Sequence, residues 1–383
     1  FFISFSIYKL CLSLSFSKNN SALCSISFFL IPAASISSFL ISTDLLLLLF
    51  WVLTMNKLLE TRGDGSILNF FLLGLFLGLA FLAKYAAVYF LISLILLIIF
   101  DKKTFGVFKR SPIGVIVFFV SLILVLLPNI YWNLSNGWAT LFHTSDNANL
   151  KNISLNLYEP LKFLSAQILM VGPVLFFSFI FLIKHFSLDF ENKFLLTFSI
   201  PIVFIVLVES FLVRANANWA APALISFFLL FFKFINDKKA ILIKVNFIFN
   251  YVIVLLLFGS IFISSKHPFF DRIRGVDVFA EEVSKIITNE DLVISDRIIF
   301  SNLSYGLKNK SNNLYMPYKN GERITNHFQI TSAFSGNRIN NFYLVGELND
   351  ISYLSKKYKG FLIKEFVVPF SSSSLKLYEI NIK

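Results

Sequence analysis

LLGLFLGLAFLAKYAAVYFLISLILLIIF, residues Leu72 to Phe100, decides how this chain is read. Two apolar runs of membrane quality are interrupted by a single basic residue, Lys84, followed at once by Tyr85. A charge at the bilayer centre costs at least ~2.5 to 3.5 kcal/mol. The stretch is therefore read as two spans meeting at a tight turn, with Lys84 at the water boundary. That turn defines one membrane face.

Composition extends the reading to the whole chain. Of 383 residues 56% are hydrophobic and 17% aromatic, with 49 Phe, and the mean hydropathy is +0.74. Soluble domains carry about 25% charged residues, whereas this chain carries 15%. It reads as an integral membrane protein. The net charge of +12 divides into 18 basic against 10 acidic residues up to position 265 and 16 against 12 after it. No basic stripe with interleaved aromatics emerges, so nucleic-acid binding is not expected. Cys11 and Cys24 lie in separate apolar segments, which suits packing rather than a disulfide framework, and no metal-ligand spacing is present. The chain opens on Phe1 with no basic region before the apolar run, unlike an intact signal peptide. A fragment lacking its true N-terminus is expected.

About ten spans are expected, at 1–16, 22–41, 45–58, 68–83, 86–100, 113–130, 161–183, 194–212, 220–235 and 246–264. Alternating them through a bilayer gathers Lys18, Lys57, Arg62, Lys102, Lys103, Lys109, Arg110, Lys184, Lys193, Lys238, Lys239 and Lys244 on one side. Opposite lie Lys84, Lys151, Lys162 and Arg214. The positive-inside rule makes the first side cytoplasmic. The other face then carries the Ser42-Thr43-Asp44 turn, the Lys84-Tyr85 turn, the loop from Trp132 to Pro160, the segment from Arg214 to Pro222 and the C-terminal tail. The inside loop DKKTFGVFKR, Asp101 to Arg110, reads as an ordinary charged connector. From residue 266 onward the pattern becomes that of a small α/β domain. A helix is expected over Val276 to Ile287, and strands over Asp291–Asp296, Asn341–Glu347, Phe361–Val368 and Leu375–Ile382. A short helix is expected near Ile351 to Lys359. The fold class is thus a mainly α polytopic membrane bundle, residues 1–265, with an extracytoplasmic α/β domain, residues 266–383.

Each unusual polar residue has a plain reading beside a functional one. Asp44 suits a helix N-cap, yet shares a face with the other polar turns. Lys84 can snorkel to head groups, or hold a phosphate at the membrane surface. Glu209 and Arg214 can form a local ion pair; intramembrane ionisable residues are also site candidates by default, and Arg forks around phosphate oxygens. Trp132, Trp138 and Trp219 suit interfacial anchors, with sugar stacking as the alternative. His143 and Asp146 are too isolated for a metal site or a catalytic pair. No phosphate loop, nucleophile elbow or zinc motif is present.

Taken in order, STDLLLLLFW (Ser42 to Trp51), GLFLGLAFLAKYAAVYF (Gly74 to Phe90), LPNIYWNLSNGWATLFH (Leu127 to His143), QILMVGPVLFF (Gln167 to Phe177) and NANWAAPAL (Asn216 to Leu224) form a pattern. It resembles the bacterial branch of the dolichyl-phosphate-mannose-protein mannosyltransferase-like family. These are GT-C glycosyltransferases of the family 39 type, relatives of the lipid A aminoarabinose transferase. RIRGVDVFAEEVSKI (Arg272 to Ile286) and LVISDRIIFSNLSYGL (Leu292 to Leu307) resemble that branch's C-terminal region. The resemblance implies transfer of a sugar from a polyprenyl-phosphate carrier to a lipid, glycan or protein acceptor. The reaction would take place at the outer face of the bacterial inner membrane. It implies no cofactor beyond the lipid-linked donor and no metal, with membrane lipids, the donor and an unidentified acceptor as partners. The family's acidic first outer loop is not recognisable here, which bears on activity. Asp44 matches the Asp of the family's TD motif, Lys84 the lysine of its GLxxLxKY motif, and Asn218 and Trp219 its NW pair. The expected catalytic residues are Asp44 and Glu209; the expected substrate-binding residues are Lys84, Tyr85, Arg214, Asn218, Trp219 and Trp132.

Two other classes compete. A transporter or flippase would need midplane polar sites and inverted repeats, and the sequence shows no internal repeat. A non-catalytic membrane scaffold would use the α/β domain to bind a partner.

Overall fold

The computed structural model describes residues 1–39, 42–147, 153, 155–182, 187–213, 215–263, 271, 274–308, 313–334, 341–354 and 358–382. The chain divides into two compact units, Phe1–Trp132 with Asp146–Phe258, and Asn133–Ser145 with Gly259–Lys383.

Short helices α1 (Phe2–Ser13), α2 (Lys18–Phe29) and α3 (Pro32–Phe39) lead into α4 (Thr43–Asp64), α5 (Ile67–Ala83), α6 (Val88–Phe100), α7 (Lys102–Arg110) and α8 (Pro112–Ser135). After α9 (Ala139–Asn147) come α10 (Tyr158–Val171), α11 (Pro173–Leu182), α12 (Phe190–Thr197), α13 (Ile200–Leu212) and α14 (Ala221–Ile263), which is two helical arms joined at a kink where Lys239 leaves helical geometry (φ −150°, ψ 73°). Local chemistry sets many of the boundaries. Ser17, Ser66, Asp101 and Asp189 each accept a backbone N–H as N-caps of α2, α5, α7 and α12. Gly65 ends α4 in the left-handed conformation, φ +65°.

Three described helical stretches are long and apolar enough to cross a membrane: Pro112–Ser135, Phe190–Leu212 and Ala217–Ser260. Two more result if each bent pair counts as one span: Tyr85–Phe100 with Lys102–Arg110, bent by 104°, and Tyr158–Val171 with Pro173–Ile180, bent by 103°. By this measure the described helices give three to five spans rather than ten. The difference has local causes. The run 22–41 is divided ahead of Pro32, which has no N–H to continue a helix. The run 161–183 is divided at Gly172-Pro173, and α1 and α5 are apolar but short. The connector from Asp101 to Arg110 is an amphipathic helix, with Thr104 and Val107 buried while Lys102, Lys103, Lys109 and Arg110 stay exposed.

The turn at Lys84 forms as the apolar pattern predicts. Helix α5 stops at Ala83, Lys84 is extended, Tyr85–Ala87 makes a single 3₁₀ turn and α6 starts at Val88. The two arms then take different partners, α5 packing on α4 and α6 on α12 and α13. On its other side α5 meets α8 through glycines one turn apart. A Cβ at Gly74 would lie 2.2 Å from the Phe118 carbonyl oxygen, and one at Gly78 2.8 Å from Val125 Cβ. Gly114 of α8 answers by admitting the Phe70 ring. This is the small-xxx-small packing that lets helices approach in lipid. Deeper in the unit, Trp51 meets Phe90 and Phe198 edge-on at 5.1 and 6.2 Å, tying α4, α6 and the α12–α13 corner together.

The second unit contains α15 (Val276–Ile286), β1 (Leu292–Ile294), α16 (Arg297–Gly306), β2 (Leu314–Pro317), α17 (Phe328–Thr331), β3 (Ala333–Phe334), β4 (Phe342–Val345), β5 (Tyr358–Phe366) and β6 (Leu375–Ile382). The sheet order is β3-β2-β1-β4-β6-β5. Strands β3, β2, β1 and β4 are parallel, while β6 runs antiparallel to both β4 and β5. Central β1 is buried along its whole length, as a parallel strand covered on both faces should be. The helix near Ile351 to Lys359 is instead a 3₁₀ turn at Leu348–Ile351; residues 355–357 lie outside the described residues.

Candidate functional site

Asp44 sits in the first turn of α4, where a carboxylate complements the helix dipole. It does not act as a simple cap, because side chains from two distant segments occupy both of its oxygens. Lys84 Nζ donates to Asp44 Oδ1 at 2.6 Å, and Asn218 Nδ2 donates to Asp44 Oδ2 at 2.9 Å. The ion pair is largely enclosed, with the Lys84 and Asp44 side chains 25% and 16% exposed. Each partner comes from a break in helical structure. Lys84 is the extended residue between α5 and the 3₁₀ turn, and Asn218 belongs to the 3₁₀ turn Ala217–Ala220 that precedes α14. The sequence thus brings a cation, an anion and an amide together where three helix ends leave backbone groups uncovered.

Neighbouring contacts hold these ends in place. Gln167 of α10 donates to the Ala217 carbonyl at 2.9 Å, which fixes the turn carrying Asn218. The Tyr85 hydroxyl donates to Asn129 Oδ1 at 3.1 Å, tying the residue after Lys84 to α8 beside Pro128. Trp219 is partly buried against the helical core. Trp132 lies one turn beyond Asn129 on α8 and is half-buried. Asn129 and Gln167 were not among the residues expected from sequence, since uncharged polar residues inside apolar runs read as ordinary helix positions. Their signal was proximity to Pro128 and to the Gly172-Pro173 break.

Beside Asp44 and Asn218 lies a small recess of about 20 Å³, lined mainly by Phe28, Ile31, Leu48, Met170 and Leu224. Asp44 and Asn218 make its polar side, and the rest of its lining is apolar apart from Ser37. Glu209, one turn from the end of α13, makes no hydrogen bond or ion pair with Asp44, Lys84 or Asn218. The structure therefore joins Asp44, Lys84 and Asn218 but does not join Glu209 to them. Arg214 lies outside the described residues.

Comparison with known proteins points the same way. The dolichyl-phosphate-mannose-protein mannosyltransferase family matches residues 2–132, a segment that contains both Asp44 and Lys84. The lipid A galacturonosyltransferase RgtD of Rhizobium johnstonii is 26% identical over 309 residues, which cover 74% of this chain and 62% of that relative. The chain therefore spans about 62% of the length of the curated relative it matches. No solved structure matches. The matched segment is similar to that family over the helices that build the Asp44–Lys84 pair and contains the first two of the motifs that carry the resemblance.

Proposed function

We propose that this protein is a membrane glycosyltransferase that moves a sugar from a polyprenyl-phosphate carrier to an acceptor at the extracytoplasmic face of a bacterial inner membrane. The observation that carries the reading is the convergence of Asp44, Lys84 and Asn218 where three helix ends meet. The family match and the rhizobial relative support the same reaction class. In this reading the roughly ten-span topology places the cluster and the C-terminal α/β domain on the outer side. By analogy with the relative, lipid A is the acceptor to test first and a uronic acid the donor sugar.

The chemistry follows from charge. An acceptor oxygen attacks the anomeric carbon of the donor as the bond to phosphate breaks, and the electron pair leaves with the polyprenyl phosphate. Negative charge grows on that phosphate in the transition state, so a fixed cation beside it lowers the barrier. Lys84 supplies the cation, with Arg214 as a second ligand. Asp44 holds Lys84 in position and takes the proton of the attacking hydroxyl as general base. Asn218 fixes the second Asp44 oxygen, Tyr85 and Trp219 line the sugar end, and Trp132 walls the approach. Glu209 is an assisting carboxylate that engages only with substrate present. No cofactor enters this scheme.

The test is to supply a radiolabelled polyprenyl-phosphate sugar to membranes carrying this chain, and separately to membranes carrying the full-length gene product. Loss of label from the lipid is then followed. Turnover that collapses in Lys84→Ala and Asp44→Asn is the expected result. Wild-type turnover in both variants, or none by either protein over a panel of lipid-linked sugars, overturns the reading. A transport reading draws on the bent helix pairs, which resemble the discontinuous helices of transporters. It predicts label crossing sealed vesicles without cleavage.

A further inference from the structure

The C-terminal unit carries a crevice of its own. From β1 the chain winds in one direction through α16 to β2 and β3, and β4 then lies on the opposite side of β1. In open α/β sheets ligands bind outside the carboxyl ends of the strands where this reversal occurs. At that point Ser295 and Asp296 follow β1, Gly346 and Glu347 follow β4, and Ser373 and Lys376 approach from the start of β6. They surround a cavity of about 210 Å³, smaller than the ~300 to 1,000 Å³ of drug-sized ligand sites and suited to a correspondingly small ligand.

Two details mark the crevice as built for a ligand. Gly346 has φ +156°, and a Cβ there would lie 2.2 Å from Ser295 Oγ and 2.8 Å from Asp350 Oδ2, so any side chain would fill the space between the strand ends. Ser295 Oγ is itself buried and has no hydrogen-bond partner among the described residues. Such an orphaned hydroxyl is costly unless something binds it.

The lining also selects the chemistry. The N-terminus of α16 would attract an anion, but Asp296 Oδ1 already accepts the N–H groups of Ile298 and Ile299 at 2.7 and 3.0 Å. Asp350 Oδ2 accepts Glu347 N at 2.8 Å, and Lys376 is paired with Glu347 at 2.9 Å. Three carboxylates therefore face one ammonium that is already paired, which disfavours phosphate or uronate. What remains is a set of acceptors, the second oxygens of Asp296 and Asp350, beside the Ser295 hydroxyl. No group of three or more metal-ligating side chains is present among the described residues. We propose that this switch-point crevice binds a non-anionic saccharide, whose hydroxyl or amino groups donate to Asp296 and Asp350 and pair with Ser295. The site is independent of the transfer reaction assigned to the Asp44–Lys84 cluster.

Saturation-transfer NMR on the full chain in lipid nanodiscs tests this, with glucose, glucosamine and galacturonate as separate probes at ~10 mM, suited to Kd values near 1 mM. Glucose or glucosamine should receive saturation, and galacturonate should not. The signal should fall about fivefold in Ser295→Ala, as for loss of one hydrogen bond, and should survive in Lys84→Ala. Asp350→Asn, which retains a cap oxygen for Glu347, provides a second variant, and thermal unfolding of both confirms that they fold. The proposal is overturned by absence of transfer to either non-anionic sugar, by equal binding of galacturonate, or by signals unchanged in both crevice variants. It is equally overturned by a signal lost in Lys84→Ala but kept in Ser295→Ala, which would place the sugar at the membrane-embedded cluster.

Discussion

Asp44 joins residues 40 and 174 positions away, and how visible each partner was depended on its charge. Lys84 and Asp44 stood out because a charge interrupts or opens an apolar run there, even though snorkelling and helix capping offer plain accounts of them. Asn218 emerged only through a motif. Gln167 and Asn129 were missed because a single amide leaves the hydropathy pattern intact. Gln167→Leu should remove the hydrogen bond that holds the Ala217 carbonyl and lower lipid-sugar turnover several-fold, with little change in melting temperature; turnover and thermal unfolding measured on the same preparation check this. A second residue-level prediction concerns Asp101, the cap of the amphipathic helix α7. Burial alone would raise its carboxyl, but hydrogen bonds from Arg62 and Thr104 outweigh burial and hold it at about 2. Its folded value lies below the ordinary carboxylate value of about 3.9. The stabilisation is therefore complete above pH ~4 and is lost as pH falls through about 2, roughly 2 kcal/mol in all. Asp101→Asn should flatten that acid limb of the stability curve, measured as melting temperature against pH.

At the scale of elements, the pattern of the sequence carried over best where one periodicity ran uninterrupted. Helix α15 and strand β6 appear at the expected positions, ending within one residue of the expected bounds. By contrast, β2 has four residues and β3 two, too short for alternation to show, and α16 follows β1 so closely that its apolar residues extend the strand signal. The α5–α8 seam was equally hidden, since glycines 74 and 78 declare close packing only once the facing helix is known. Gly74→Leu should cost at least ~1 to 3 kcal/mol by overpacking, because a Cβ there meets the Phe118 backbone carbonyl as well as the Ser121 hydroxyl; thermal unfolding in detergent measures it. The break at Gly172 gives a prediction of the opposite sign. Asn246 and Asn250 are 2% and 0% exposed, and Asn246 Oδ1 and both polar atoms of the Asn250 amide have no partner among the described residues. Asn250→Leu should therefore raise the melting temperature, since it replaces an unsatisfied buried amide by an apolar group of similar size. A fall of several degrees would show that the amide is satisfied by a bound molecule.

For the molecule as a whole, composition was the most informative signal. A chain with 56% apolar residues leaves large apolar side chains exposed along α8, including Ile116, Phe119, Ile123 and Leu124. This pattern suits lipid contact rather than water. Helix breaks at prolines and glycines divide several of the apolar runs, so that by length and composition three to five described helical stretches are long enough to cross a membrane. The α/β character of the C-terminal unit was visible in its changed periodicity, yet its switch-point crevice was not, since the order of strands is a property of tertiary pairing. The central claim is that Lys84 is the phosphate-binding cation of a lipid-linked donor and that Asp44 competes with that phosphate for it. The most direct measurement is the affinity of a polyprenyl phosphate for the wild type, Lys84→Ala and Asp44→Asn in the same nanodiscs. Lys84→Ala should bind about 10- to 100-fold more weakly, as for one charged hydrogen bond, whereas Asp44→Asn should bind at least as tightly as the wild type while losing turnover. Equal loss of binding in both variants, or no change in Lys84→Ala, would contradict the account.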